Sequence, residues 1–207
     1  MIVWNGMQGT DDWHAVRRGV VTASCFGRIM TPTTLKAATG QDDYLNQLVA
    51  ESVNAHEGWQ GNRHTERGHE LEPMAADYYA AMYDAEVASV GFVFADETRR
   101  VGGSPDRLVG DSGGLEIKCP DGKKHVANLR SGVVPAEYLA QVYGLLYVTK
   151  RPWWDWMSFH PQFKNQSVIR TEYDSARYQE WKAKWEPAIE AFLERLEQAR
   201  AFVCGDD

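Results

Sequence analysis

Two stretches decide the reading: Ser104-Pro105-Asp106 and, with its Glu ten residues after that Asp, Leu115-Glu116-Ile117-Lys118-Cys119-Pro120. Along a strand, alternate side chains point to opposite faces. Leu115 and Ile117 then share an apolar face, while Glu116 and Lys118 share the other. Gly110-Asp111-Ser112-Gly113 reads as a hairpin turn, so the strand Asp106–Val109 folds back on Gly114–Cys119 and brings Asp106 beside Glu116. Two carboxylates and an ammonium at one point suit phosphodiester hydrolysis. Magnesium prefers hard oxygen ligands and keeps several waters. Asp106 and Glu116, with a backbone carbonyl of the same strand, offer such ligands, and Lys118 can orient water or offset developing charge. The competing reading is a hairpin with a solvated charged face. An acid-x-Lys triplet alone is weak, because Asp121-Gly122-Lys123 and Glu180-Trp181-Lys182 repeat it. The first of these reads as a turn after Pro120. The second falls in a helix, where positions i and i+2 do not face each other.

Outward from this hairpin the periods alternate. On the N-terminal side, Trp13–Arg17 reads as a helical turn after Thr10-Asp11-Asp12. Thr22-Ala23-Ser24 offers hydroxyl caps for a short helix through Met30. A helix from Asp42 to about His56 and another over Arg67–Asp84 follow, the latter with Leu71, Met74, Ala75, Tyr78, Tyr79 and Met82 on one stripe. Glu57–His64 between them reads as an exposed loop. Glu86–Ala95 and Arg99–Ser104 read as strands. On the C-terminal side, Pro135 suits the first residue of a helix through Tyr147. Trp153–His160 and Ser167–Tyr173 read as strands. A last helix from near Asp174 carries Tyr178, Trp181, Trp185, Ile189, Phe192 and Leu196 at three- or four-residue steps. Helices flanking a central mixed sheet make an α/β or α+β domain, read as one unit over residues 1–207.

Composition narrows the class. The chain is 43% hydrophobic and 25% charged, the balance of an ordinary globular protein. Its three cysteines, Cys25, Cys119 and Cys204, form no CxxC pair, which speaks against a zinc site or a disulfide framework and for a reducing cytosol. The six histidines form no zinc pattern. No signal peptide opens the sequence and no long apolar run spans a membrane. A net charge of −7 counts against coating nucleic acid by bulk attraction, but leaves room for a local basic channel beside a metal.

Ser-Pro-Asp followed by Glu-Ile-Lys-Cys-Pro resembles the PD-(D/E)XK nucleases, and more narrowly the phage lambda exonuclease or YqaJ-like viral recombinase family. Trp13-His14 with Arg17, Gly19–Ser24, Gly68-His69-Glu70-Leu71-Glu72 and Ala140-Gln141-Val142 extend the similarity, in order, over about residues 10–203. The resemblance implies a restriction-endonuclease-like core with Asp106, Glu116 and Lys118 as catalytic residues. It implies a metal site of Asp106, Glu116, Ile117 and Glu72, holding two magnesium ions that manganese can replace. It assigns Arg17, Ser24, Ser104, Gln141 and Thr22 to a DNA 5′-phosphate. A guanidinium fork suits a phosphate dianion, although Ser24 and Thr22 also read as plain helix caps, and Gln141 as a core amide. Glu70 reads as surface, Tyr138 as core and His14 as structural.

Two features depart from the family. Its apolar strand-separating wedge falls near Thr65, which is polar and leaves the role to another residue of the Glu57–Arg67 loop, such as Trp59. Its arginine near Pro32 is missing, with Lys36 and Arg28 the nearby cations.

The implied activity is 5′-to-3′ hydrolysis of double-stranded DNA ends, releasing 5′-mononucleotides and leaving 3′ overhangs. The implied setting is a homotrimeric ring with a phage single-strand annealing protein, no membrane, in the cytoplasm of a bacterial host. Two alternatives stay open: a sequence-specific endonuclease on the same fold, and a non-enzymatic DNA-end-binding ring.

Overall fold

The computed structural model describes residues 1–53 and 63–205. The element order is β1 (Ile2–Trp4), α1 (Asp11–Arg17), β2 (Val21–Thr22), a 3-10 helix (Ala23–Arg28), α2 (Gln41–Ser52), α3 (Arg63–Tyr83), β3 (Val87–Ala88), β4 (Phe92–Phe94), β5 (Val101–Gly103), β6 (Arg107–Val109), β7 (Gly113–Lys118), α4 (Gly122–Ser131), α5 (Ala136–Thr149), β8 (Trp153–Ser158), β9 (Ser167–Glu172) and α6 (Ala176–Cys204). The strands form two mixed sheets rather than one, in the orders β1-β4-β5-β2 and β3-β6-β7-β8-β9. Among the described residues, no helix is long and apolar enough to cross a membrane.

The hairpin forms with the register Arg107↔Leu115, Leu108↔Gly114 and Val109↔Gly113. From β7 the chain crosses through α4 and α5 to β8, which runs parallel to β7 and pairs Glu116 with Trp156 and Lys118 with Ser158. Alternation then sorts the faces. Leu115, Ile117 and Met157 join Ala75, Ala76 and Tyr79 of α3 in one core cluster. Trp154 and Trp156 join α5 and α6 in a larger one. Glu116 and Lys118 share the face of the two tryptophans, and so point at α5. Both faces of β7 are covered, and Glu116 has no exposed surface. A solvated charged hairpin is therefore excluded.

Several elements differ from the sequence reading. Asp121-Gly122-Lys123 is no isolated turn: Asp121 caps α4, its side chain accepting from Lys124 N at 2.9 Å. Pro135 is the N-cap of α5 rather than its first residue. Thr22 precedes the 3-10 helix but makes no side-chain cap; its N–H donates to the Tyr44 hydroxyl at 3.2 Å. The stripe of α3 is rotated, with Ala76 buried while Met74 and Met82 are each 52% exposed. The helix also begins at Arg63, inside the stretch read as loop. Strand β1 carried no alternation long enough to notice. The last helix matches its reading, burying Tyr178, Trp181, Trp185, Ile189, Phe192 and Leu196.

One close approach positions the site. Helix α5 meets the 3-10 helix at Gly144, where an added Cβ would lie 2.8 Å from the Phe26 ring and 2.9 Å from the Ala23 Cβ. Phe26 cannot yield, being stacked on Trp185 at 4.1 Å. Gly144→Ala is expected to cost about 1–3 kcal/mol by overpacking. Urea unfolding of the variant against wild type measures the loss.

Candidate active site

Strand β5 belongs to one sheet and β6 to the other, with only Ser104, Pro105 and Asp106 between them. Asp106 sits just beyond the last β6–β7 pair. There its Oδ2 accepts from the Ile117 N–H at 2.6 Å, taking the place of a backbone acceptor. A strand residue turns its N–H and C=O to the same neighbour, so the Ile117 carbonyl opens on the Asp106 side. Consistently, the Lys118 carbonyl faces the other way and accepts from Phe159 N at 2.8 Å.

Glu116 projects from the next position of β7. One carboxylate oxygen pairs with the Lys118 ammonium, which also lies 5.3 Å from the centre of the Tyr138 ring. Tyr138 in turn stacks on Trp156 at 5.7 Å. The Gln141 amide of α5 faces the Glu116 carboxylate, but no donor reaches its buried Oε2. Glu72 of α3 pairs with Arg107 at 2.6 Å and adds its charge to the surroundings of Asp106 and Glu116.

Burial, and then the Glu116 charge, hold the Asp106 carboxyl well above the usual carboxylate range. Burial raises Glu116 as well, against the pull of Lys118. Lys118 is pulled down by burial, but the two carboxylates outweigh this and its net shift is upward. Burial, with Asp106 and Glu72 close by, pushes the Cys119 thiol up to about 11, so it is no thiolate nucleophile at neutral pH.

The cluster therefore holds two carboxylates against one ammonium, with one carboxylate oxygen unpartnered. Asp155 on the same sheet shows what a satisfied buried acid looks like: Arg170 reaches it with two bonds of 2.8 and 2.9 Å and the Tyr79 hydroxyl with one of 2.7 Å. A hard divalent cation fits the deficit around Glu116, because magnesium takes one or two carboxylates and keeps waters. Asp106, Glu116 and the Ile117 carbonyl are the donors that would hold it. Among the described residues no three His, Cys, Asp or Glu side chains already converge on one point, since Glu72 is turned to Arg107.

Beside the cluster lies a cavity of about 160 Å³ lined by Arg17, Ser24, Ser104 and Gln141, together with Gln8 and Trp13. Arg17 lies 3.9 Å from the centre of the Trp13 ring and donates to Ser104 Oγ at 3.3 Å. Burial lowers the Arg17 pKa, and an anion in the cavity would relieve that cost. Thr22 and Ser24 share a hydroxyl contact of 3.3 Å, but Thr22 is buried behind the cavity and does not line it.

Other sequence expectations resolve as follows. Arg28 is spent on Asp43 and Gln47 at 2.5 and 2.6 Å. Lys36, Glu70 and His14 are exposed and Tyr138 is half-buried. Trp59 and the Thr65 side chain lie outside the described residues.

The sequence model of the YqaJ-like viral recombinase domain matches residues 12–152, a span that contains the Asp106–Glu116–Lys118 cluster and the cavity residues Arg17, Ser24, Ser104 and Gln141. The chain belongs to that family. It is similar to an alkaline exonuclease (LHK-Exo) from Laribacter hongkongensis, with 28% identity, 94% of this chain and 98% of that chain covered, and a TM-score of 0.77. A structure of LHK-Exo in complex with dAMP matches at 30% identity over the same shares, again with a TM-score of 0.77. A phage related exonuclease from Haemophilus somnus shares the fold, with a TM-score of 0.65 at 13% identity over 87% of this chain and 96% of that chain. No curated protein matches the chain. Family and neighbours together make this YqaJ-like protein a nuclease acting on DNA.

Carboxyls with raised pKa values stabilise the fold when protonated, and that contribution is lost as pH rises past the usual carboxylate range. Without metal, Asp106→Asn should therefore raise the melting temperature at neutral pH by several degrees, and the gain should shrink on acidification. Added magnesium should stabilise wild type but not the variant. Thermal scans over pH, with and without the ion, check this.

Proposed function

We propose that this nuclease is a magnesium-dependent exonuclease that takes double-stranded DNA ends, digests one strand from its 5′ end, releases 5′-mononucleotides and leaves a 3′ single-stranded overhang for recombination by strand annealing. One observation carries the reading. The anion-suited cavity of Arg17, Ser24, Ser104 and Gln141 adjoins the Asp106–Glu116–Lys118 cluster, and two residues tie them together. Ser104 stands two positions before Asp106, and Gln141 faces both the cavity and Glu116. The LHK-Exo complex with dAMP, a 5′-mononucleotide, agrees with such a product.

In this reading the cavity donors grip a terminal 5′-phosphate, and the following phosphodiester lies over Asp106 and Glu116. Magnesium, when bound, supplies Lewis acidity to the phosphate and lowers the pKa of water. Lys118, held by Glu116, orients the attacking water and offsets charge that develops on the phosphate oxygens. Cutting leaves a new 5′-phosphate on the shortened strand, which the emptied cavity can take up. Polarity thus follows from where the phosphate is held. A non-enzymatic ring would gain nothing from an unneutralised buried carboxylate, which costs stability. The reading extends, on family resemblance, to two metal ions replaceable by manganese, a homotrimeric ring and a phage single-strand annealing partner. A ring suits a chain of net charge −7, because topology then holds DNA where bulk attraction does not.

A 5′-hydroxyl end offers the cavity less charge and fewer acceptors. Wild type should start faster on a 5′-phosphorylated linear duplex than on the same duplex with 5′-hydroxyl ends. Arg17→Ala should reduce that preference by roughly tenfold to a hundredfold, the worth of a lost charge-assisted contact. Initial rates on the two duplexes test it. Equal wild-type rates would place the terminal contact elsewhere.

A further inference from the structure

Gln8 and Trp13 line the phosphate cavity, yet their donors are spent inside the protein. The Gln8 amide nitrogen donates to the Val90 and Pro105 carbonyls, both at 2.8 Å. Trp13 Nε1 donates to the Gly91 carbonyl at 3.2 Å and to Ser104 Oγ at 3.0 Å. Each side chain therefore bridges the same two segments, Gln8 through the Val90 and Pro105 carbonyls and Trp13 through the Gly91 carbonyl and the Ser104 hydroxyl. With the Ile117 N–H on Asp106, three successive residues of the inter-sheet link are pinned one after another.

The pinning has two chemical consequences. A serine hydroxyl has two acceptor lone pairs and one proton. Trp13 and Arg17 occupy the acceptor side of Ser104, which leaves its proton to be offered to an anion in the cavity. The Ser104–Asp106 span also becomes fixed. Two residues of chain reach at most about 7 Å, a span of the order of the separation between consecutive phosphates in an extended strand.

We infer that Gln8 and Trp13 are positioning residues that set the step of the enzyme: they hold the terminal-phosphate cavity one nucleotide from the metal-binding carboxylates, so that each cut frees a single nucleotide. This rests on the proposed 5′-phosphate reading. A side chain needed only for folding would change how much active protein there is, whereas a ruler changes the length of what is released.

The experiment digests a 5′-phosphorylated linear duplex with magnesium and sizes the products by mass spectrometry, alongside kcat and KM. Wild type, Gln8→Ala and Trp13→Phe are compared, each checked for folding by circular dichroism. Trp13→Phe keeps an aromatic ring under Arg17 while losing the indole N–H together with one ring of the bicycle, so it carries the test should Gln8→Ala not fold. The expected result is dinucleotide beside mononucleotide from the variants, with kcat lowered about fivefold or more, the scale of one lost hydrogen bond, and KM changed less. Mononucleotide alone from the folded variants, at whatever rate, overturns the inference. Wild type that frees no mononucleotide overturns the proposed function, and the ruler with it.

Discussion

The Asp106 carboxylate does two jobs. Its Oδ2 accepts the Ile117 N–H at 2.6 Å where the β6 backbone has ended, and its charge lies next to Glu116. The first job fixes where the link from the other sheet lands on β7. The second makes that landing point the most electrostatically costly place in the cluster. Because one side chain does both, the residue that lands the link on β7 also brings a carboxylate beside Glu116. Ser104, two residues earlier, then has its position relative to the carboxylates dictated by the same link.

Two buried acids on one sheet separate structural from functional charge. Asp155 is paid in full by three hydrogen bonds from Arg170 and Tyr79. Glu116 shares a single ammonium with Asp106 and keeps an oxygen without a donor. A buried charge left short of partners is expensive, and sites that bind cations are where such a cost is recovered. Glu72 deepens the deficit, because its negative charge acts on both Asp106 and Glu116, and its cation Arg107 is directed at Glu72 itself.

Much of this was legible in the sequence because it is local. The strand alternation of Leu115–Lys118 and the Gly-Asp-Ser-Gly turn place Glu116 beside Asp106 without reference to the rest of the chain, and the α6 stripe reads directly from its aromatic spacing. What escaped depends on distant contacts. Asp121 capping α4 was hidden behind Pro120 and Gly122, which read as a turn. The rotation of the α3 stripe follows from how that helix meets β7, so Met74 and Met82 looked buried when they are not. Gln8 gave no signal at all: its partners Val90 and Pro105 lie 82 and 97 residues away, and a lone glutamine in a loop carries no pattern. The cavity joining Arg17, Ser24, Ser104 and Gln141 came only from family resemblance, since those residues belong to four separate segments.

On the proposed function, a strand enters this site by its 5′ end and is cut one nucleotide in. Time courses with magnesium on three DNA substrates test it most directly: a linear duplex labelled in the 5′-terminal nucleotide, the same duplex labelled in the 3′-terminal nucleotide, and a covalently closed circle. The proposed function predicts early release of the 5′ label as a mononucleotide, retention of the 3′ label on shortening strands, and an uncut circle. Early release of the 3′ label, or cleavage of the circle, would contradict it.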